Sequence, residues 1–171
     1  MSRPLLAVAV LAATGCATAP KLPTVDRVDL PRFMGDWYVL AHIPASIEKD
    51  AHRAVESYRL EPGGTIATTY TFRDGALDGP EKRYTPRGFV RNPVTNAEWG
   101  MQFIWPIKAE YLVVHLDDAY TETIIGRSAR DLVWIMARTP AVPEADYARL
   151  VAKVAALGYD VSKLRRVPQG P

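Results

Sequence analysis

The chain has 171 residues, 48% of them hydrophobic, which suits one domain with a real core and leaves little for a second. Twenty-one basic against nineteen acidic side chains give a formal net charge of +2, so the calculated pI of 8.7 reflects near-cancellation. Such a balance gives no electrostatic case for nucleic-acid binding.

Arg3 supplies a positive charge, and Leu5 to Ala13 then form an apolar run ending in small residues, the pattern of a secretory signal. A run of about nine residues is far below the ~20 needed to cross a bilayer as a helix. The only cysteine, Cys16, comes directly after Ala13-Thr14-Gly15. This resembles the lipobox of bacterial lipoproteins, where the thiol takes a diacylglycerol in thioether linkage and small residues leave the preceding bond open to the peptidase. Lipoproteins usually carry Leu or another branched residue three places before the cysteine, and here Ala13 stands there. The alternative is an ordinary cleaved signal with an incidental thiol. A lone cysteine in an exported protein has no intramolecular partner, and lipidation gives it a use. The resemblance implies a signal at 1–15, a mature chain beginning at acylated Cys16, and stable anchoring by two or more acyl chains. Ala17 stands where Asp would retain an enterobacterial lipoprotein in the inner membrane, which implies the outer membrane, facing the periplasm.

Residues 16–28 contain Pro20, Pro23 and little that packs, and read as an extended tether ahead of a domain at 29–171. Eight stretches rich in Val, Ile, Thr, Tyr, Phe and Trp predict strands at 35–43, 54–61, 65–73, 82–90, 98–105, 111–117, 121–127 and 132–138. Gly63-Gly64 marks a hairpin, and Gly75, Gly79-Pro80 and Asn92-Pro93 punctuate the next stretches. Short links favour sequential antiparallel pairing. Tyr147, Leu150, Val151, Val154 and Leu157 then switch to helical spacing, with Pro143 at the start and Gly158 at the stop. Residues 163–167 are the place for a short ninth strand. Eight antiparallel strands leave exposed edges unless the sheet closes, and eight close into a barrel just able to hold one small ligand. The expected fold is mainly β: an up-and-down eight-stranded barrel with one C-terminal helix packed outside.

Three local patterns then carry a family resemblance. Asp29-Leu30-Pro31-Arg32-Phe33-Met34-Gly35-Asp36-Trp37-Tyr38 resembles the lipocalin Gly-x-Trp opening with its preceding helical turn. Leu116-Asp117-Asp118-Ala119-Tyr120 resembles the second lipocalin motif, and Leu132-Val133-Trp134-Ile135-Met136-Ala137-Arg138-Thr139-Pro140 resembles the third. The resemblance runs from about Asp29 to Val167 and is nearest to bacterial lipocalins that are themselves lipoproteins. It implies structural work at the closed end of the barrel for Gly35, Trp37, Asp117, Tyr120 and Arg138, with the guanidinium of Arg138 lying across Trp37. It also implies a fatty acid or lysophospholipid ligand, bound without chemistry by a monomer or dimer.

Alternation on the fifth strand puts Trp99, Met101, Phe103 and Trp105 on one face, and Trp134 on the last strand shares parity with Arg138. Trp99, Met101, Phe103 and Trp134 are the expected ligand contacts, with Phe89, Tyr70 and Tyr111 behind them; plain core packing is the competing reading for each. No Gly-x-Ser-x-Gly, His-Glu-x-x-His, phosphate loop or Cys-x-x-Cys is present, so no cofactor or metal is expected. His42, His52 and His115 show no metal-ligand spacing. A catalytic lipocalin remains an alternative if an acid faces inward, but Glu56 is expected outside in solvent. A tetrapyrrole carrier with His42 or His115 as axial ligand is another. Lys82, Arg83, Arg87 and Arg91 read as a solvated basic face, with contact to anionic lipid headgroups as the alternative.

Overall fold

A computed structural model describes residues 20–170; the signal segment and Cys16 lie outside the described residues. Leu30–Phe33 form the short helix α1, capped by the Asp29 carboxylate, which accepts from the Arg32 backbone N–H. The strands come next as β1 (Gly35–Ile43), β2 (Ala51–Leu60), β3 (Thr65–Asp74), β4 (Glu81–Tyr84), β5 (Arg87–Val90), β6 (Glu98–Ile104), β7 (Ile107–Leu116), β8 (Glu122–Gly126) and β9 (Val133–Ala137). Helix α2 (Glu144–Ala156) and strand β10 (Arg165–Arg166) complete the chain.

The strands pair antiparallel around the sheet, and β1 pairs with β9, which closes it. The expected strand at 82–90 is broken at Thr85-Pro86 into β4 and β5, both paired with β3. Proline cannot donate to the ladder, which accounts for the interruption there. The barrel is therefore eight-stranded, with β10 added on β1 through Ala41↔Arg166 and His42↔Arg165. α2 lies outside, as expected: Leu150 and Val154 are fully buried in a layer with Leu112, Ile124 and Ile135. Gly158, at φ +86°, supplies the left-handed residue that stops the helix.

Alternate turns fall at opposite ends of an up-and-down barrel. The turns 61–64, 91–97 and 117–121 lie at the end that α1 closes, where the backbone N–H of Val28 donates to the Thr95 carbonyl and the Arg32 guanidinium sits 4.0 Å from the Tyr120 ring centroid. The turns 44–50, 75–80, 105–106 and 127–132 surround the other end, which is open. Residues 20–28, expected as a free tether, instead lie against the barrel. Leu22 and Val28 are buried, the Leu22 N–H donates to Ser128 Oγ, and that of Val25 donates to the Val113 carbonyl. The two prolines keep this segment extended, and the apolar surface of Leu22 and Val28 is enough to hold it down.

Candidate functional site

At the closed end the Arg138 guanidinium stands 3.8 Å from the centre of the Trp37 ring. It also donates to the backbone carbonyls of Arg32, Phe33, Asp36 and Tyr120. Trp37 is fully buried and its indole N–H donates to the Phe33 carbonyl. Gly35 adopts φ +95°, and a Cβ there would come within 3.3 Å of Arg138, so both the backbone conformation and the close approach favour glycine. The Asp117 carboxylate accepts from the backbone N–H groups of Thr121 and Glu122 and from the Thr121 hydroxyl, tying the β7–β8 turn. The Tyr120 hydroxyl accepts from the Asp29 backbone N–H. All five motif residues lie at this end, away from the open mouth.

Above this plug the barrel interior is in two storeys. The lower one is filled by Phe33, Trp37, Tyr58, Trp99 and Tyr111, whose rings pack tilted, edge-on or stacked with centroids 5.1–5.8 Å apart. Above it is a cavity of about 180 Å³, walled by Ile47, Met101, Phe103, Leu132 and Trp134 and floored by Glu48, Glu56, Tyr70 and Tyr111. Tyr70, Met101, Phe103, Tyr111 and Trp134 are thus brought together, as strand parity and composition predict. Trp99 is not: it is wholly buried in the aromatic plug, stacked on Tyr111. Phe89 is not either. It pairs with Gly100 on the outer wall under the Lys108 ammonium, 3.6 Å from its ring centre, because Gly88 and Val90 take the inward positions of β5.

The floor departs further from expectation. Glu56 faces inward and is 7% exposed. Ala54, Glu56 and Tyr58 share the inward face of β2, opposite Ser57 and Arg59, so strand parity carries the signal and the charge on the residue obscures it. Its carboxyl is hydrogen-bonded with the hydroxyls of Tyr58 and Tyr111. Burial, opposed by the Tyr111 hydrogen bond and helped by the nearby Glu48 charge, pushes its pKa up to about 8, so it is neutral at pH 7. Glu48 comes from the β1–β2 turn, where no periodicity marks it. It accepts from Tyr70 Oη at 2.5 Å, from the Ala45 backbone N–H at 3.0 Å and from Trp134 Nε1 at 3.4 Å, and lies 3.6 Å from His42 Nδ1. Burial raises its pKa, but the His42 ring beside it and these donors prevail, and the net direction is downward. The cup therefore holds one neutral and one ionised carboxyl.

Arg127 also lines the cavity; its Nη1 lies 3.3 Å from Asp131 Oδ2, and its Nε is buried with no hydrogen-bond partner among the described residues. His115 is on the outer wall beneath α2, where burial and the neighbouring Lys153 lower its pKa. His42 is enclosed behind Glu48 and is absent from the cavity wall. Neither histidine is placed to meet a tetrapyrrole in the cup. No cluster of metal-ligating side chains occurs among the described residues. Lys82, Arg83, Arg87 and Arg91 fit the solvated basic face: Lys82, Arg83 and Arg87 are exposed, and the guanidinium of Arg91 donates to the Lys108 carbonyl on the outer wall.

A Lipocalin-like domain family matches residues 28–169. The chain belongs to the lipocalin family. Lipocalins in general bind and carry hydrophobic ligands rather than transform them. Among its relatives, Temperature-induced lipocalin-1 of Arabidopsis thaliana is 29% identical over 161 residues, covering 87% of this lipocalin and 83% of the plant protein. Outer membrane lipoprotein Blc of Escherichia coli K12 is 26% identical over 181 residues, covering 97% and 96% of the two chains. Among solved structures, insecticyanin from the tobacco hornworm Manduca sexta superposes with a TM-score of 0.66 at 16% identity, covering 87% of this chain and 85% of that one. The cockroach allergen Per a 4 superposes with a TM-score of 0.65 at 21% identity over 90% and 96%.

Proposed function

We propose that this lipocalin binds and carries a single-chain hydrophobic ligand, a fatty acid or lysophospholipid, at the bacterial outer membrane, held there by acylated Cys16 and facing the periplasm. The observation that carries the reading is the cavity itself: an apolar wall of Met101, Phe103, Leu132 and Trp134, open at one rim, with an arginine whose Nε has no partner among the described residues. The chain enters first. A ligand carboxylate or phosphate driven to the floor would meet the ionised Glu48, whereas at Arg127 it gains a charge-assisted hydrogen bond. The cavity is smaller than the ~300–1,000 Å³ typical of pockets that engulf a drug-sized molecule, so a long chain leaves part of its length at the rim. Each methylene buried contributes ~0.8 kcal/mol against an association cost of roughly 4–15 kcal/mol, which suits exchangeable binding. The likeness to Blc, an outer membrane lipoprotein by name, over nearly the full chain supports the anchor and the location, as does Cys16 after Ala13-Thr14-Gly15.

The test is a titration of lipid-stripped protein with a fluorescent fatty acid and a fluorescent lysophospholipid. Saturable binding that weakens on Trp134→Ala is expected; no saturable signal for either ligand sinks the reading.

A second reading rests on Glu56. A neutral carboxylic acid with a pKa near 8 inside an apolar cup has the properties of a general acid, so a catalytic lipocalin acting on an apolar epoxide or isomerisable chain is the competing function. Product formation from such a substrate that disappears in Glu56→Gln, with ligand binding retained, would establish it.

A further inference from the structure

Seven large apolar side chains stand exposed among the described residues, and five of them, Ile47, Phe103, Ile104, Trp105 and Ile107, belong to two turns at the open mouth. Four are consecutive but for Pro106, at the tip of the β6–β7 hairpin, with exposures of 50% for Phe103, 71% for Ile104, 82% for Trp105 and 68% for Ile107. The cup uses only the base of this tip and the core uses none of it: Phe103 and Ile47 line the cavity, while Ile104, Trp105 and Ile107 project beyond it. Leaving such a cluster in water is unfavourable, and a contiguous apolar patch of this kind marks a surface that meets something.

We infer that the 103–107 hairpin tip docks into a phospholipid surface, so that the open mouth of the barrel faces the membrane. Three observations choose a lipid bilayer over a protein partner. The first is shape: the patch is the narrow end of a hairpin rather than a flat face, able to enter the headgroup layer without burying barrel wall. The second is chemistry. Trp105 stands at the apex, and tryptophan suits a membrane interface because its ring is apolar and its N–H seeks a polar partner. The third is direction. At the start of the described chain, the Pro20 carbonyl accepts from Arg130 Nη1 at 2.9 Å and the Leu22 N–H donates to Ser128 Oγ at 3.2 Å, both partners belonging to the β8–β9 turn of the open rim. Cys16 is four residues before Pro20, a reach of roughly 14 Å at ~3.6 Å per residue. A lipid on Cys16 and the apolar tip therefore address the same bilayer from the same end of the barrel. The inference rests on the carrier reading and deepens it by giving the ligand a path, since a chain leaving the bilayer beside Trp105 passes Phe103 and Ile47 into the cup.

The experiment uses the mature protein purified from its own membrane and returned to phosphatidylethanolamine–phosphatidylglycerol vesicles, with the acyl chains either plain or brominated. Bromine quenches tryptophan only within the bilayer, and Trp37, Trp99 and Trp134 are held in the barrel. The expected result is a loss of emission in brominated vesicles equal to the Trp105 share, absent in Trp105→Ala and reduced in Ile107→Asp, which keeps Trp105 but puts a charge at the tip. Equal emission in plain and brominated vesicles overturns the inference. So does shielding of Trp105 that rises with protein concentration in the absence of vesicles, which would assign the tip to a second copy of the chain. The mass of the same protein reports the state of Cys16, and fatty-acid titration of Trp105→Ala reports the cup, so failure of the anchor or the carrier reading is distinguishable from failure of the docking.

Discussion

The Tyr111 hydroxyl lies 2.9 Å from Glu56 Oε2 inside the barrel, and burial holds that carboxyl protonated up to about pH 8. An acid whose pKa rises from its ordinary 4.5 on folding binds a proton in the folded state that the unfolded chain has released. Its contribution to stability therefore falls as pH rises from about 4.5 to about 8 and is constant above that. Glu56→Gln keeps the shape and stays neutral throughout. The difference in urea-unfolding free energy between variant and wild type should grow with pH across this window and reach a few kcal/mol at pH 8 in favour of the variant. A pH-independent difference would mean that Glu56 is ionised in the folded protein.

Glu48 works in the opposite direction. Its carboxylate is held by Tyr70, the Ala45 N–H and the neighbouring His42, which overcome the cost of its burial and lower its pKa. The stabilisation is present above the ordinary carboxylate range and is lost as pH falls through the lowered folded value. Glu48→Ala strands three polar groups in a buried site and should cost about 2–4 kcal/mol at pH 7. In a double-mutant cycle with Tyr70→Phe, measured by thermal unfolding, the two substitutions should be less than additive.

Arg138 does more than stack on Trp37. Its donors serve four backbone carbonyls around the barrel floor, so Arg138→Ala loses the cation–π contact and leaves those acceptors to be resolvated, for about 2–4 kcal/mol. Arg138→Lys keeps the charge but not the planar fork. It should recover less than half of the loss in chemical denaturation, whereas a purely electrostatic role would be restored almost fully.

The barrel is legible in the sequence because its determinants are periodic or local: alternation in the strands, 3.6-residue spacing at 147–157, and motifs whose residues meet at one end. Pro86 is a local signal too, and it marks the break between β4 and β5. The cup is half legible. Met101, Phe103 and Trp134 follow from parity, whereas Phe89 is a candidate for its ring alone: Tyr84, Gly88 and Val90 share the inward face, which leaves Phe89 on the outer one. Trp99 has the right parity and the wrong depth, since parity gives the face of a strand and not the height at which the interior fills with aromatic rings. Glu56 defies the sequence because an acidic residue on a strand is ordinarily solvated, and only its tertiary partners Tyr58 and Tyr111 make burial tolerable. Glu48 sits in a turn, where sequence carries no periodicity to read.

The two phenylalanines make a matched pair for locating the ligand. Phe103 stands on the cavity wall at the mouth, half exposed, while Phe89 covers the outer wall beneath Lys108. Removing the Phe103 ring takes away apolar surface that a ligand would cover, worth about 1–2 kcal/mol, or roughly a tenfold loss in affinity. Trp134→Ala removes a larger ring from the same wall and a donor to Glu48, and should weaken binding at least as much. Phe89→Ala changes nothing inside the barrel and should leave the dissociation constant for a fluorescent fatty acid unaltered. If Phe89→Ala and Phe103→Ala weaken binding equally, the ligand lies along the outside of the sheet, and the cavity between Met101 and Trp134 is not where it is held.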